Sequence, residues 1–147
     1  MITADVFRQS EITFCNNKKG EYDMTRGELA VSYHPLGNNC AQCVLKSCID
    51  FTGLDDGIAT AVANGFGGGV RSGEICGAIT GGVMAIGLAA QKKGITKINS
   101  IITEFVSEFQ TEYGCVRCEE LKQNRVPCDT LIGFAADLAE KYIHEKL

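Results

Sequence analysis

Residues 64–82 read Asn-Gly-Phe-Gly-Gly-Gly-Val-Arg-Ser-Gly-Glu-Ile-Cys-Gly-Ala-Ile-Thr-Gly-Gly, and Val83 to Gly94 continue as VMAIGLAAQKKG. Five glycines fall between positions 65 and 73, so this backbone can visit conformations closed to other residues. After Cys76, the residues Ala78, Gly81, Gly82, Ala85 and Ala89 set small side chains along one side of a helix. That side lets a second backbone come unusually close. Such a helix is expected to be central and surrounded. Lys92, Lys93 and Gly94 supply the basic residues and the glycine that helix ends favour.

Helical signals continue in both directions. Thr25 precedes Glu28 at capping-box spacing, with Leu29, Ala30 and Tyr33 able to face inward, until Pro35 and Gly37. Asn38 and Asn39 can cap NCAQCVLKSCIDFTG, in which Cys40, Val44, Cys48 and Phe51 share a face and Gly53 is the stop. Asp55 and Asp56 open GIATAVAN. Downstream, Ile98, Ile101, Ile102, Phe105 and Phe109 hold a three-to-four spacing up to Gly114. Pro127 is placed in the first turn of a last helix with Leu131, Phe134, Ala135, Leu138 and Tyr142 inward. No convincing period of two appears. The expected fold is all-α: a compact bundle of five to six helices, with a central Gly/Ala-rich helix preceded by a Gly-rich loop. Residues 1–35 read as an N-terminal arm and first helix, and 36–147 as a four-cysteine helical domain, within a single domain overall.

The chain has 147 residues and a net charge of −4. It has no basic run, which argues against a nucleic-acid partner, and no apolar stretch long enough for membrane insertion. MITADVFRQS carries charge and no apolar core, so it does not read as a secretory signal. A reducing, cytoplasmic setting is the expectation. There, 8 cysteines point to metal or redox chemistry more than to structural disulfides. The Gly/Ala-rich helix and the 1–35 arm each offer a face to a second copy, as a homodimer would use.

Several chemistries are excluded. The glycine loop has no GxxxxGK[ST] and no third glycine for GxGxxG. Neither Cys40-x-x-Cys43 nor Cys115-x-x-Cys118 is followed by His, which removes covalent haem. The two CxxC pairs also lie much farther apart than the roughly 15–20 residues of a zinc ribbon. Cys48 reads as packing. Cys40, Cys76 and Cys128 have the stronger case, because each stands at an expected helix start. Helix starts tolerate negative charge and favour thiolate over thiol. A four-thiolate iron–sulfur cluster is such a charge. Tight packing of small residues is the competing explanation of the same pattern.

GNNCAQCVL, FGGGVRSGEICGAITGGVMAIGL, and FQTEYGCVRCEEL followed by VPC resemble the C-GCAxxG-C-C family of small bacterial and archaeal redox-active proteins. The likeness runs from about Leu36 to the C-terminus. It implies a helical fold and a metal site at Cys40, Cys76, Cys118 and Cys128. Cys43, Cys48 and Cys115 look extra. The same module is similar to the iron–sulfur part of split-Soret cytochromes.

The leading functional expectation is therefore an iron–sulfur protein for electron transfer or redox sensing, with 2Fe–2S favoured over 4Fe–4S. Gly67, Gly68, Gly69 and Gly77 would let backbone approach the cofactor, and Arg71 would offset charge. The redox partner is not named by the sequence, nor is any catalysed reaction. Two alternatives stand: a metal-free thiol–disulfide protein, and a zinc-stabilised interaction module.

Overall fold

The computed structural model describes residues 23–147. Among the described residues there are eight α-helices and no β-strand, which makes the fold all-α. They are α1 (Arg26–Ser32), α2 (Cys40–Ser47), α3 (Ile49–Thr52), α4 (Asp56–Ala63), α5 (Gly77–Lys92), α6 (Asn99–Tyr113), α7 (Cys118–Gln123) and α8 (Cys128–Lys146). Short 3-10 turns cover His34–Leu36 and Asn64–Phe66, and a π-type turn covers Gly69–Gly73. Cys15 lies outside the described residues.

Capping chemistry sets several of the boundaries. Thr25 accepts from the Glu28 N–H while its own N–H donates to the Glu28 carboxylate at 2.9 Å, a capping box that starts α1. Asn39 and Gln42 repeat the device at the start of α2. Asp55 accepts from the Ile58 N–H and starts α4. Gly53 and Gly114, at φ 72° and 82°, end α3 and α6. Two boundaries differ from the sequence expectation. The segment read as one helix over 39–53 breaks at Cys48, whose φ of −106° and ψ of 18° interrupt it. Pro127 is the residue before α8, with extended backbone, and not part of its first turn.

α5 sits at the centre and packs on α2, α8, α3 and α6. Its small-residue side is spent on these neighbours. A Cβ at Gly81 would lie 2.6 Å from the Ala41 carbonyl of α2, and one at Gly82 would lie 2.5 Å from the Phe105 ring of α6. Tight backbone approach, and not large side chains, holds this part of the core. Aromatic residues fill the space around it: Phe105 meets Tyr142 edge-on at 5.7 Å, and Phe109 meets Phe134 at 5.9 Å.

α1 is bound into the bundle through Arg26. Its guanidinium is buried, ion-pairs with Asp50 at 2.9 Å and Glu140 at 2.7 Å, and donates to the Ser47 carbonyl. The Phe51 ring lies 4.5 Å from its central carbon. Gly27 packs directly on α8, where its N–H donates to Asp137 at 2.6 Å.

The packing predicts opposite effects for two glycines of one helix. Gly81→Ala forces a methyl into the Ala41 backbone and should destabilise by about 1–3 kcal/mol. A Cβ at Gly87 meets nothing closer than 3.8 Å. Gly87→Ala should therefore stabilise by about 0.5–1 kcal/mol through helix propensity and unfolded-state entropy. Urea unfolding of the two variants beside the parent chain checks both signs.

Candidate metal centre

The four cysteines singled out by the sequence all stand at helix starts. Cys40 is the first residue of α2, Cys118 of α7 and Cys128 of α8, while Cys76 is the residue that caps α5. Three of these starts, at Cys40, Cys76 and Cys128, are expected from the sequence, but only the Cys40 helix has a capping side chain, that of Asn39; the starts at Cys76, Cys118 and Cys128 have none. A helix start presents unpaired N–H groups and the positive end of the helix dipole.

Contacts made possible by glycine bring these starts together. A Cβ at Gly77 would meet Cys40 Cβ and the Ala41 N–H nitrogen at 3.2 Å each. One at Gly69 would meet Cys118 Cβ at 2.9 Å and Glu74 backbone at 2.5 Å. One at Gly67 would meet the Asn39 side chain at 2.8 Å, and Asn39 caps the Cys40 helix. So Gly67, Gly69 and Gly77 make room for the cysteine-bearing segments themselves. Gly68 supplies a left-handed φ of 63°.

Cys76 and Cys118 are fixed to one another by backbone. The Cys76 N–H donates to the Val116 carbonyl at 2.9 Å, and the Cys118 N–H donates to the Glu74 carbonyl at 2.6 Å. Ile75 and Arg117 thereby form an isolated antiparallel bridge. Side chains repeat the link: Arg117 donates to both carboxylate oxygens of Glu74 at 3.1 Å. The preceding loop makes a left-handed turn over Gly68, Gly69, Val70 and Arg71, with φ between 59° and 65°. For Val70, a β-branched residue, this conformation is strained.

The thiols differ in character. Cys40 and Cys128 interact side chain to side chain and titrate as a pair. Cys40 holds the shared proton and is pushed far above the usual thiol range by that bond, by burial and by neighbouring thiols. Cys128 is lowered to about 6, first by the bond from Cys40 and then, against burial, by His34 and Lys122. Burial raises Cys76 to about 11, although the Ala78 and Ile79 N–H groups at the start of α5 pull the other way. The amides that reach its sulfur thus belong to its own helix, as its place at an expected helix start implies. Cys76 also senses Cys118 and Cys128, so the four thiols share one electrostatic neighbourhood.

Among the described residues, no three His, Cys, Asp or Glu side chains are spaced to hold one metal ion as they stand. The donor set at this end of the bundle is nonetheless soft. Its oxygen donors are engaged elsewhere: Glu74, Glu119 and Glu120 with Arg117, and Asp129 with His34 at 2.6 Å. Thiol donors without free carboxylates suit a thiophilic group and not a hard, oxygen-seeking cation. An open cleft of about 410 Å³, lined in part by Arg71, Ser72, Cys118 and Lys122, leads from solvent to Cys118. Arg71 is exposed on its rim.

The His34–Asp129 pair beside Cys128 and the Glu74–Arg117 pair beside Cys118 were not read from sequence. The residues of each pair are far apart in the chain, and neither forms a recognisable motif. Cys43 and Cys48 are fully buried, and burial raises them to about 12 and about 11.

Residues 38–142 match the model of the family described as "Putative redox-active protein (C_GCAxxG_C_C)". The chain belongs to that family. No curated protein and no solved structure matches it significantly.

Two outcomes follow from this geometry. In metal-free protein, alkylation of Cys128 should rise with pH through a midpoint near 6, where an ordinary thiol titrates near about 8.5. Cys40→Ala, which removes the donor, should move that midpoint upward, and rate measurements across pH by mass spectrometry read both. Separately, Val70→Gly should stabilise the chain by about 1 kcal/mol, because glycine adopts the left-handed turn without the side-chain penalty. Chemical denaturation checks it.

Proposed function

We propose that this chain is an iron–sulfur protein in which the thiolates of Cys40, Cys76, Cys118 and Cys128 hold one cluster, 2Fe–2S, used for one-electron transfer. One observation carries the reading: four cysteines far apart in sequence all stand at helix starts, in one electrostatic neighbourhood. Bundling positive helix ends around uncharged thiols gains little. Bundling them around thiolates and a negatively charged inorganic core is favourable. The cluster, when bound, supplies reversible one-electron chemistry.

Each part of the chain has a role in this scheme. Ala78 and Ile79 direct N–H groups at the Cys76 sulfur, which favours the ligated, deprotonated form. Burial of Cys76 excludes water on one side. The cleft at Cys118 gives the other side an approach for a redox partner protein, with Arg71 and Lys122 at its edge. The thiols require a reducing compartment, consistent with a cytoplasmic location.

Protein purified without oxygen should be coloured and contain iron and acid-labile sulfide. Cys76→Ser and Cys118→Ser should each lose most of the iron while keeping helical circular dichroism. Full iron retention in both variants would refute the ligand set. Zinc without sulfide, or a colourless protein with reversible two-electron thiol titration, would refute the cluster.

A further inference from the structure

Cys43 is left over once the four proposed ligands are assigned. It is the fourth residue of α2, and Cys40 is the first. Residues three apart on a helix lie on one face. Their Cα separation of about 5 Å, from a rise of about 1.5 Å per residue and a radius of about 2.3 Å, is within disulfide range. Helical side chains also tilt toward the N-terminus. Cys43 follows this rule: its sulfur lies 3.7 Å from the carbonyl of Asn38, which precedes the helix. That tilt carries the sulfur back to the level of Cys40. Cys43 is 0 % exposed, whereas Cys40 is only partly buried. An oxidant from solvent therefore meets Cys40 before Cys43. Cys48, the other deeply buried thiol near this helix, sits at its far end against the Ser47 hydroxyl at 3.7 Å.

We infer that Cys40 and Cys43 are a second redox unit, forming a reversible disulfide when hydrogen peroxide reaches the site. The Cys40 sulfur attacks one peroxide oxygen as its thiol proton leaves, and the O–O bond breaks. Cys40 becomes a sulfenic acid, and the departing hydroxide takes a proton to leave as water. The Cys43 sulfur then attacks the Cys40 sulfur. The S–S bond forms, the S–O bond breaks, and the Cys43 proton leaves with the hydroxide as a second water. In total, two thiols lose two hydrogens and one hydrogen peroxide becomes two waters. A dithiol reductant reverses the change. Burial keeps Cys43 out of direct oxidation and available to trap the sulfenic acid before it becomes sulfinic acid. The inference rests on the proposed cluster only for what Cys40 does between oxidations; the disulfide itself needs no metal.

The test uses the full chain, both as purified without oxygen and after metal removal with a chelator. Each sample is exposed to hydrogen peroxide, its remaining thiols are alkylated, and it is cut after Lys and Arg without reduction. Residues 27–46 then form one peptide, with Cys40 and Cys43 as its only cysteines. Mass spectrometry should find this peptide unalkylated and two hydrogens lighter in both samples, and dithiothreitol should restore it. Cys43→Ala should carry Cys40 on to irreversible sulfinic acid, with iron and sulfide content before oxidation unchanged. Alkylated Cys43 after peroxide, or a crosslink from Cys40 to the peptide bearing Cys128, would overturn the inference. Peptide mapping of the wild-type chain decides between these outcomes even if the variant fails to fold. An iron-free protein that still yields the lighter peptide would support the disulfide and count against the cluster.

Discussion

The missing side chains at Gly69, Gly77 and Gly81 are the constraint on which the rest of this structure depends. Each lets one stretch of backbone lie where a methyl group would collide: Gly81 against Ala41, Gly77 against the start of α2, and Gly69 against Glu74 and Cys118. α5 can then approach α2 closely enough to bring Cys76 and Cys40 into one neighbourhood. The loop before α5 folds tightly enough to meet the strand-like pair at Ile75 and Arg117, which carries Cys118 with it. Cys128 arrives on α8, which packs against both α2 and α5. The sulfur chemistry is thus a consequence of backbone packing, and the glycines contribute by what they leave out.

Electrostatics complements that packing. Helix starts are positive, and several of them pointed at one place repel unless something negative lies between. Cys128 is lowered to about 6 by the bond from Cys40 and then by His34 and Lys122, while Cys40 keeps the proton the pair shares. Cys76 shows the opposing pull of burial, which holds it near 11 in spite of two amides. Burial therefore disfavours a free thiolate at Cys76, while Cys40 and Cys43, on one helix face with Cys40 nearer solvent, are the pair proposed for thiol–disulfide exchange.

Local features of this fold were legible in the sequence because their causes are local. Thr25 with Glu28, Asn39, Gly53, Asp55 and Gly114 act through neighbouring backbone groups, and all set helix ends as read. The small-residue side of α5 was legible for a similar reason, since its period shows which side must be covered. The break at Cys48 was not, because no Gly or Pro marks it. The Ile75–Arg117 bridge involves a single residue pair, so it leaves no alternation to detect. Val70 and Arg71 adopt left-handed backbone that their own preferences oppose, and only the surrounding contacts impose it. Arg26 was also hidden: a charged residue near the N-terminus gives no sign that Asp50, Glu140 and the Ser47 carbonyl will enclose it. At the proposed metal centre, residue type and helix starts pointed to three cysteines. Cys118 came from family resemblance, and its position at the start of α7 is visible only in the fold.

X-ray absorption at the iron edge of the anaerobic protein tests the central claim most directly. The account predicts a first shell of sulfur alone together with iron–iron scattering, as four thiolates around a sulfide-bridged core require. A first shell containing nitrogen or oxygen, or isolated iron with no second iron nearby, would contradict it.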